Sequence, residues 1–192
     1  TEHTELYLSP QKVRETIPEM ATIYSEPFAD SSQIPTFLVS QLARRRVTVA
    51  LSGDAGDEVF CGYNRYQIAQ KVWPKLVFLP EKLRQIVGSG ILSIKPTTWD
   101  NLSSLTNQSR LGEKMHKFAR VMASKNIESL YRDVCSEWHD PESLVLGAKE
   151  PVDPRFSSLS SEEMSNAEYM MACDFISYLP GDILVKVDRA SM

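Results

Sequence analysis

The stretch from Val47 to Tyr66, VTVALSGDAGDEVFCGYNRY, constrains the fold more than any other part of the chain. Val47 to Leu51 is a short apolar, β-branched run without alternation, the pattern of a strand covered on both faces, as in a parallel sheet. Ser52-Gly53-Asp54-Ala55-Gly56 ends that run with small and polar residues suited to a tight turn. From about Asp57 a helix is expected, because Val59, Phe60, Tyr63, Tyr66 and Ile68 recur near helical spacing. Strand, loop and helix start form the arrangement in which α/β folds hold ligands at the carboxyl ends of their strands.

The loop has its own chemistry. Asp54, Asp57 and Glu58 crowd one turn, so a bare phosphate would be repelled. The charges make sense if Mg²⁺ stands between a carboxylate and a phosphate, or if one carboxylate receives a cationic part of a substrate. Equally, Asp57 or Ser52 caps the helix and the acids complement its dipole. Spacing leaves both readings open.

Three segments together resemble one known family. SGDAGDEVFCGYNRY resembles a signature of the synthetase domain of asparagine synthase (glutamine-hydrolysing), usually SG-(D/E)-G-x-DE-x-FGGY. LPGDILVKVDRASM, residues 179–192, and EPFADSSQIPT, residues 26–36, are similar to further segments of that family. The resemblance is strong at these places and weak over roughly 72–165. Ala55 and Cys61 stand where glycine is common in the family, so a left-handed backbone is not expected at Ala55. The implied fold is part of an adenine nucleotide α-hydrolase-like (ATP pyrophosphatase) parallel sheet followed by an all-helical subdomain. Residues 1–71 would be a partial α/β nucleotide-binding portion, and 72–192 a helical portion lying over the sheet's ligand edge.

The resemblance implies ATP-dependent amidation of aspartate to asparagine through a β-aspartyl-adenylate, with ammonia from glutamine. ATP and Mg²⁺ would be required. Carried over by position, Ser52 and Gly53 touch the nucleotide, Asp54 faces the amino group of the aspartyl-adenylate, and Asp57 holds Mg²⁺ beside pyrophosphate. Gly56, Glu58 and Lys186 join the substrate contacts, and Arg189 joins Asp54 in the catalytic set. Lys186 and Arg189 are three apart and so share a helix face. On spacing alone, Lys186 instead pairs with Asp182, four residues earlier, on a solvated face.

Two alternatives keep their place. A related amide-forming enzyme would use another carboxylate, as in β-lactam synthetases or sugar and natural-product amidation. A non-catalytic helical interaction module would not need acids concentrated in one turn. The chain begins at Thr1 without Met and ends in an expected helix, so both ends are expected to be cut from something longer. An SGGxDSS phosphate loop and a glutaminase domain would precede Thr1, and a further lysine would follow Met192. The 192-residue piece alone is therefore expected neither to hydrolyse ATP nor to make asparagine.

Composition narrows the classes. A net charge of -4 and a pI near 5.5 argue against a nucleic-acid or anionic-membrane partner. Arg44-Arg45-Arg46, the one basic run, ends an expected helix and complements its dipole. No stretch approaches the roughly 18 apolar residues of a membrane span. Cys61, Cys135 and Cys173 lack paired spacing, and His3, His116 and His139 are scattered, so reduced thiols and a cytoplasmic location are expected, without zinc. A homodimer stays open.

Elsewhere the chain reads as punctuated helices. Glu5–Leu8 is an expected strand, Ser9-Pro10 opens a helix bent or interrupted at Pro18, and Pro35 opens a second helix. Pro74, Pro80 and Pro96 separate short helices, and NLSSLTNQS from Asn101 is an expected loop. Leu111, Met115, Phe118 and Met122 form one packing stripe; Ile127, Leu130, Val134 and Trp138 form another. After a loop-rich stretch from Pro141 to Ser161, a helix is expected over Asn166–Tyr178, and Pro180 opens the last one.

Overall fold

The computed structural model describes residues 3–103, 110–136, 138, 141–149, 151 and 153–192. In chain order its α-helices are α1 (Pro10–Ile23), α2 (Gln33–Arg44), α3 (Gly56–Val59), α4 (Asn64–Gln67), α5 (Trp73–Val77) and α6 (Glu81–Leu92). They continue with α7 (Pro96–Ser103), α8 (Leu111–Ala123), α9 (Ile127–Cys135), α10 (Asn166–Ile176) and α11 (Leu184–Ser191). Single π-helical stretches, Ile68–Val72 and Leu179–Ile183, lead into α5 and α11.

No β-strand occurs among the described residues, which overturns the expected parallel sheet. Glu5–Leu8 and Val47–Leu51 are non-helical and form no strand pairing with any described residue. Val49 is 78% exposed and Leu51 fully so. A β-branched run becomes a strand only when a neighbour takes up its N–H and C=O groups, and no described segment does so. With no sheet among the described residues, no ligand edge is found there for the helices to cover.

The chain forms two compact units. The first comprises 1–60 and 174–192, the second 61–173, so one boundary falls within α10. In the first unit, Ser9 caps α1 by accepting from the Lys12 N–H at 3.1 Å, with Pro10 in the first turn, where its missing donor costs nothing. The helix runs on through Pro18 rather than stopping there. Next, α2 starts at Gln33, two positions before Pro35, and packs on α1 and α11. Leu38 of α2 and Met20 of α1 are buried, with Ile183 and Ala190 near the chain's end.

The second unit has the larger apolar core, built on Tyr66, Trp73, Val121, Leu130, Tyr131, Tyr169 and Met170. Here α8 packs on α6 and α7. Gly112 lies so close to α7 that an added Cβ would sit 2.2 Å from the Pro96 carbonyl oxygen. Both expected stripes are incomplete as core. Met122, Ile127 and Leu130 are buried, whereas Phe118 is 39% exposed and Trp138, beyond the end of α9, is 64% exposed. Asn101 to Ser103, expected to begin a loop, close α7; residues 104–109 and His139 lie outside the described residues. Asn126 opens α9 with a reciprocal capping box, its side chain accepting from the Ser129 N–H at 2.9 Å.

Arg84 ties α6 to the end of α8. Its guanidinium donates to the carbonyls of Met122 at 2.9 Å and Ser124 at 2.6 Å, and to that of Leu79 at 3.2 Å. The first two belong to the C-terminal end of α8, where carbonyls lack intrahelical donors and favour a cation. Among the described residues, no helix is long and apolar enough to cross a membrane.

Candidate functional site

The Ser52–Glu58 turn is held by its own backbone. The Gly56 N–H donates to the Gly53 carbonyl at 3.1 Å, and the Asp54 N–H to the Ser52 hydroxyl at 3.5 Å. Ala55 then takes φ 71°, in the left-handed region, before the single turn of α3. The expectation of an ordinary backbone at Ala55 was wrong. Ala55 occupies the N-cap position and no side chain caps the turn, so neither Ser52 nor Asp57 has the capping role that spacing allowed. Asp57 and Glu58 lie in the first turn, where acids complement the dipole.

The expected helix from Asp57 through Ile68 is broken after Val59. Cys61 has φ 61°, and the chain resumes helical geometry only at Asn64. Thus the two positions at which glycine is common in the resembled family are both left-handed here, occupied by residues with a Cβ. Such a residue in this region costs about 1 kcal/mol or more. Ala55→Gly and Cys61→Gly are each expected to stabilise the protein by roughly 0.5–1 kcal/mol, after the greater unfolded-state freedom of glycine is set against the relieved strain. Urea unfolding with an unchanged m-value checks this; a lowered midpoint for both variants contradicts it.

Ser52, Gly53, Asp54 and Asp57 are exposed, Gly56 is half-buried, and Glu58 is buried at 2% exposure. A Cβ added at Gly53 or Gly56 would meet nothing within 4 Å, so the loop backbone faces open space on that side. The exposed carboxylates are hard oxygen donors of the kind Mg²⁺ takes together with phosphate oxygens. Among the described residues, no three or more His, Cys, Asp or Glu side chains gather as a metal cage.

Lys186 and Arg189 do not share an environment. Arg189 is exposed, whereas Lys186 is buried at 6% exposure. Nor does Lys186 make the expected pair with Asp182. Its ammonium donates to Asp30 Oδ2 at 2.9 Å and to the Ser32 hydroxyl at 2.8 Å. Asp30 accepts in turn from the Ser32 N–H at 2.8 Å, and the Tyr24 hydroxyl donates to the Lys186 carbonyl at 3.2 Å. Neither Asp30 nor Ser32 was singled out by sequence reasoning. Asp30-Ser31-Ser32 is the composition of a side-chain-closed turn, but its partner lies 156 positions away.

Burial resists ionisation of Asp30, yet Lys186 and the Ser32 N–H and hydroxyl outweigh it and hold the carboxyl below its ordinary value. Burial would lower the Lys186 ammonium; Asp30, with the charges of Asp54 and Asp182, outweighs it and raises the group. The pair thus stabilises at neutral pH. That contribution is lost on the acid side as pH falls through the lowered Asp30 value, and on the alkaline side above the raised Lys186 value. Asp182 moves the other way, raised by burial and by Asp30, and its Oδ1 is buried without a hydrogen-bond partner.

The family model described as asparagine synthase matches residues 1–192. The protein of Methanocaldococcus jannaschii named "Putative asparagine synthetase (glutamine-hydrolyzing) 2" is 33% identical over 193 aligned positions, covering 100% of this chain and 35% of that protein. Asparagine synthetase (glutamine-hydrolyzing) 1 of Bacillus subtilis is 26% identical, covering 100% of this chain and 28% of its own length. A Mycobacterium bovis relative, "Putative asparagine synthetase (glutamine-hydrolyzing)", is 28% identical with 28% of its length covered. The chain thus spans about a third or less of the curated relatives it matches. No solved structure matches. Since the match runs the full length of the sequence, the chain belongs to the asparagine synthase family.

Proposed function

We propose that the full-length protein carrying this chain makes asparagine from aspartate, with ATP as the activating substrate and glutamine-derived ammonia as the amine. The observation that supports this most is the Ser52–Glu58 turn, which exposes Asp54 and Asp57 together in a chain of this family. The aspartate side-chain carboxylate attacks the α-phosphate of ATP, pyrophosphate leaves, and a β-aspartyl-adenylate forms. Ammonia then attacks the acyl carbon, AMP leaves, and a proton is lost.

In this reading Ser52 and Gly53 contact the nucleotide, and the open side of the loop lets it approach the backbone. Asp54 receives the α-ammonium of aspartate. Asp57 holds Mg²⁺, which when bound supplies charge neutralisation at the pyrophosphate. Gly56 allows close approach, while Glu58, being buried, shapes the turn from beneath. Arg189, exposed on α11, is available to an anionic group of the substrates. Lys186 acts through its charge rather than by direct contact, because Asp30 and Ser32 already engage its ammonium.

The test is a carboxylate screen of the full-length enzyme, following pyrophosphate and amide product. Aspartate-dependent pyrophosphate release with asparagine as product supports the proposal. Release with other carboxylates but not aspartate moves the assignment to another amide-forming enzyme of the same domain. No release with any carboxylate, from a folded protein, argues for a non-catalytic module.

A further inference from the structure

A cavity of about 410 Å³ lies between α7, α8 and α9 within the 61–173 unit and shares no residue with the Ser52–Glu58 turn. That volume is of the size that small-molecule sites occupy. Pro96, the first residue of α7, forms one wall and brings the positive end of that helix dipole. Glu113, His116, Lys117 and Arg120, at helical spacing on one face of α8, form a second. Asp133 and Cys135 stand on the third, where α9 ends and its last carbonyls make an acceptor edge. The walls are tied together. Asp100 of α7 accepts from the Gly112 N–H of α8 at 2.9 Å, and His116 donates through Nε2 to the Ile94 carbonyl at 2.8 Å. The buried Ser124 hydroxyl, just past α8, donates to Asp133 Oδ2 of α9 at 2.6 Å.

The charges of this lining are unevenly satisfied. Glu113 is paired with Arg110 at 2.7 Å, and Asp100, outside the lining, is spent on the start of α8. Among the described residues, Lys117 and Arg120 make no ion pair and no side-chain hydrogen bond. With the Glu113–Arg110 pair closed, two cations face one lining carboxylate, Asp133. We propose that this cavity binds a small phosphate monoester bearing hydroxyl groups, its phosphate between Lys117 and Arg120 and its hydroxyls toward Asp133 and the end of α9. Phosphate takes charge-assisted hydrogen bonds from an ammonium and a guanidinium together, and so answers both unpaired cations. A zwitterion would leave the excess positive charge in place. Neutral hydroxyls give Asp133 and the α9 carbonyls a donor without adding to that excess.

Calorimetric titration of the full-length protein with ribose 5-phosphate as the probe reads it out. Saturable binding is expected, with ribose and inorganic phosphate each at least fivefold weaker. Lys117→Gln and Arg120→Gln are each expected to weaken ribose 5-phosphate at least tenfold. Asp133→Asn is expected to weaken it at least threefold and to leave inorganic phosphate within twofold, because only the ester brings hydroxyls to α9. No saturable binding below about 5 mM overturns the inference. Binding that both cation variants leave unchanged overturns it as well, since the probe then sits elsewhere, at a nucleotide site for instance. Inorganic phosphate as tight as the ester, with Asp133→Asn without effect, also overturns it, because the hydroxyls then contribute nothing. Should Arg120→Gln or Asp133→Asn fail to fold, Lys117→Glu reverses the charge of an exposed side chain and is expected to abolish binding; unchanged affinity there is equally fatal.

Discussion

Asp57→Asn in the full-length protein is expected to lower aspartate-dependent pyrophosphate release by about 10²-fold or more while leaving the fold intact. The side chain is exposed in the first turn of α3, and no described residue hydrogen-bonds to it, so the amide should change stability by no more than about 0.5 kcal/mol. What is lost is one negative charge placed where Mg²⁺ and pyrophosphate are proposed to sit. Removing a preorganised electrostatic contact of this kind typically costs about 10² to 10³ in turnover. The loss should be partly recovered at raised Mg²⁺, because a weakened ligand set shifts metal affinity before it abolishes binding. Turnover equal to wild type at low Mg²⁺ rules Asp57 out of the metal site. An unfolded variant would show instead that the exposed carboxylate has a structural partner.

The second large effect concerns stability rather than chemistry. Arg84→Met is expected to destabilise the 61–173 unit by about 3 kcal/mol, since three carbonyls, two of them at the end of α8, lose a charged donor inside the structure. Arg84 is 3% exposed, so water cannot easily take its place. Its guanidinium also lies 5.2 Å from the centre of the Trp73 ring, a cation–π contact that methionine replaces only in part. Equilibrium denaturation followed by tryptophan fluorescence tests this, with Trp73 as a local reporter. A change below about 1 kcal/mol would mean that the carbonyls find other donors.

Local signals in the sequence located many of the helices and the candidate turn. Ser9-Pro10 stops the preceding segment and starts α1 through a side-chain cap and a preset φ, both decided within four residues. Cys173 and Met170 sit in the apolar run that became α10 and are fully buried. The acids at 54, 57 and 58 were visible as a cluster, although the sequence could not distinguish exposed Asp54 and Asp57 from buried Glu58. Periodicity also overstated the packing stripes. Trp138 matches the spacing of Ile127 and Leu130 but falls past the end of α9, so its ring is exposed.

By itself, then, the sequence determined the features that arise within a few neighbouring residues: the helix opening at Ser9-Pro10, the small-residue turn after Leu51, and the family resemblance carried by residues 26–36, 52–66 and 179–192. Tertiary structure alone decided that Val47–Leu51 pairs with no strand among the described residues, that Ala55 and Cys61 adopt left-handed backbone, and that Lys186 answers Asp30 rather than Asp182. The physical reason is range. A cap or a turn is fixed by bonds to adjacent residues. A strand, a strained φ and a buried ion pair depend on partners that only the folded chain supplies.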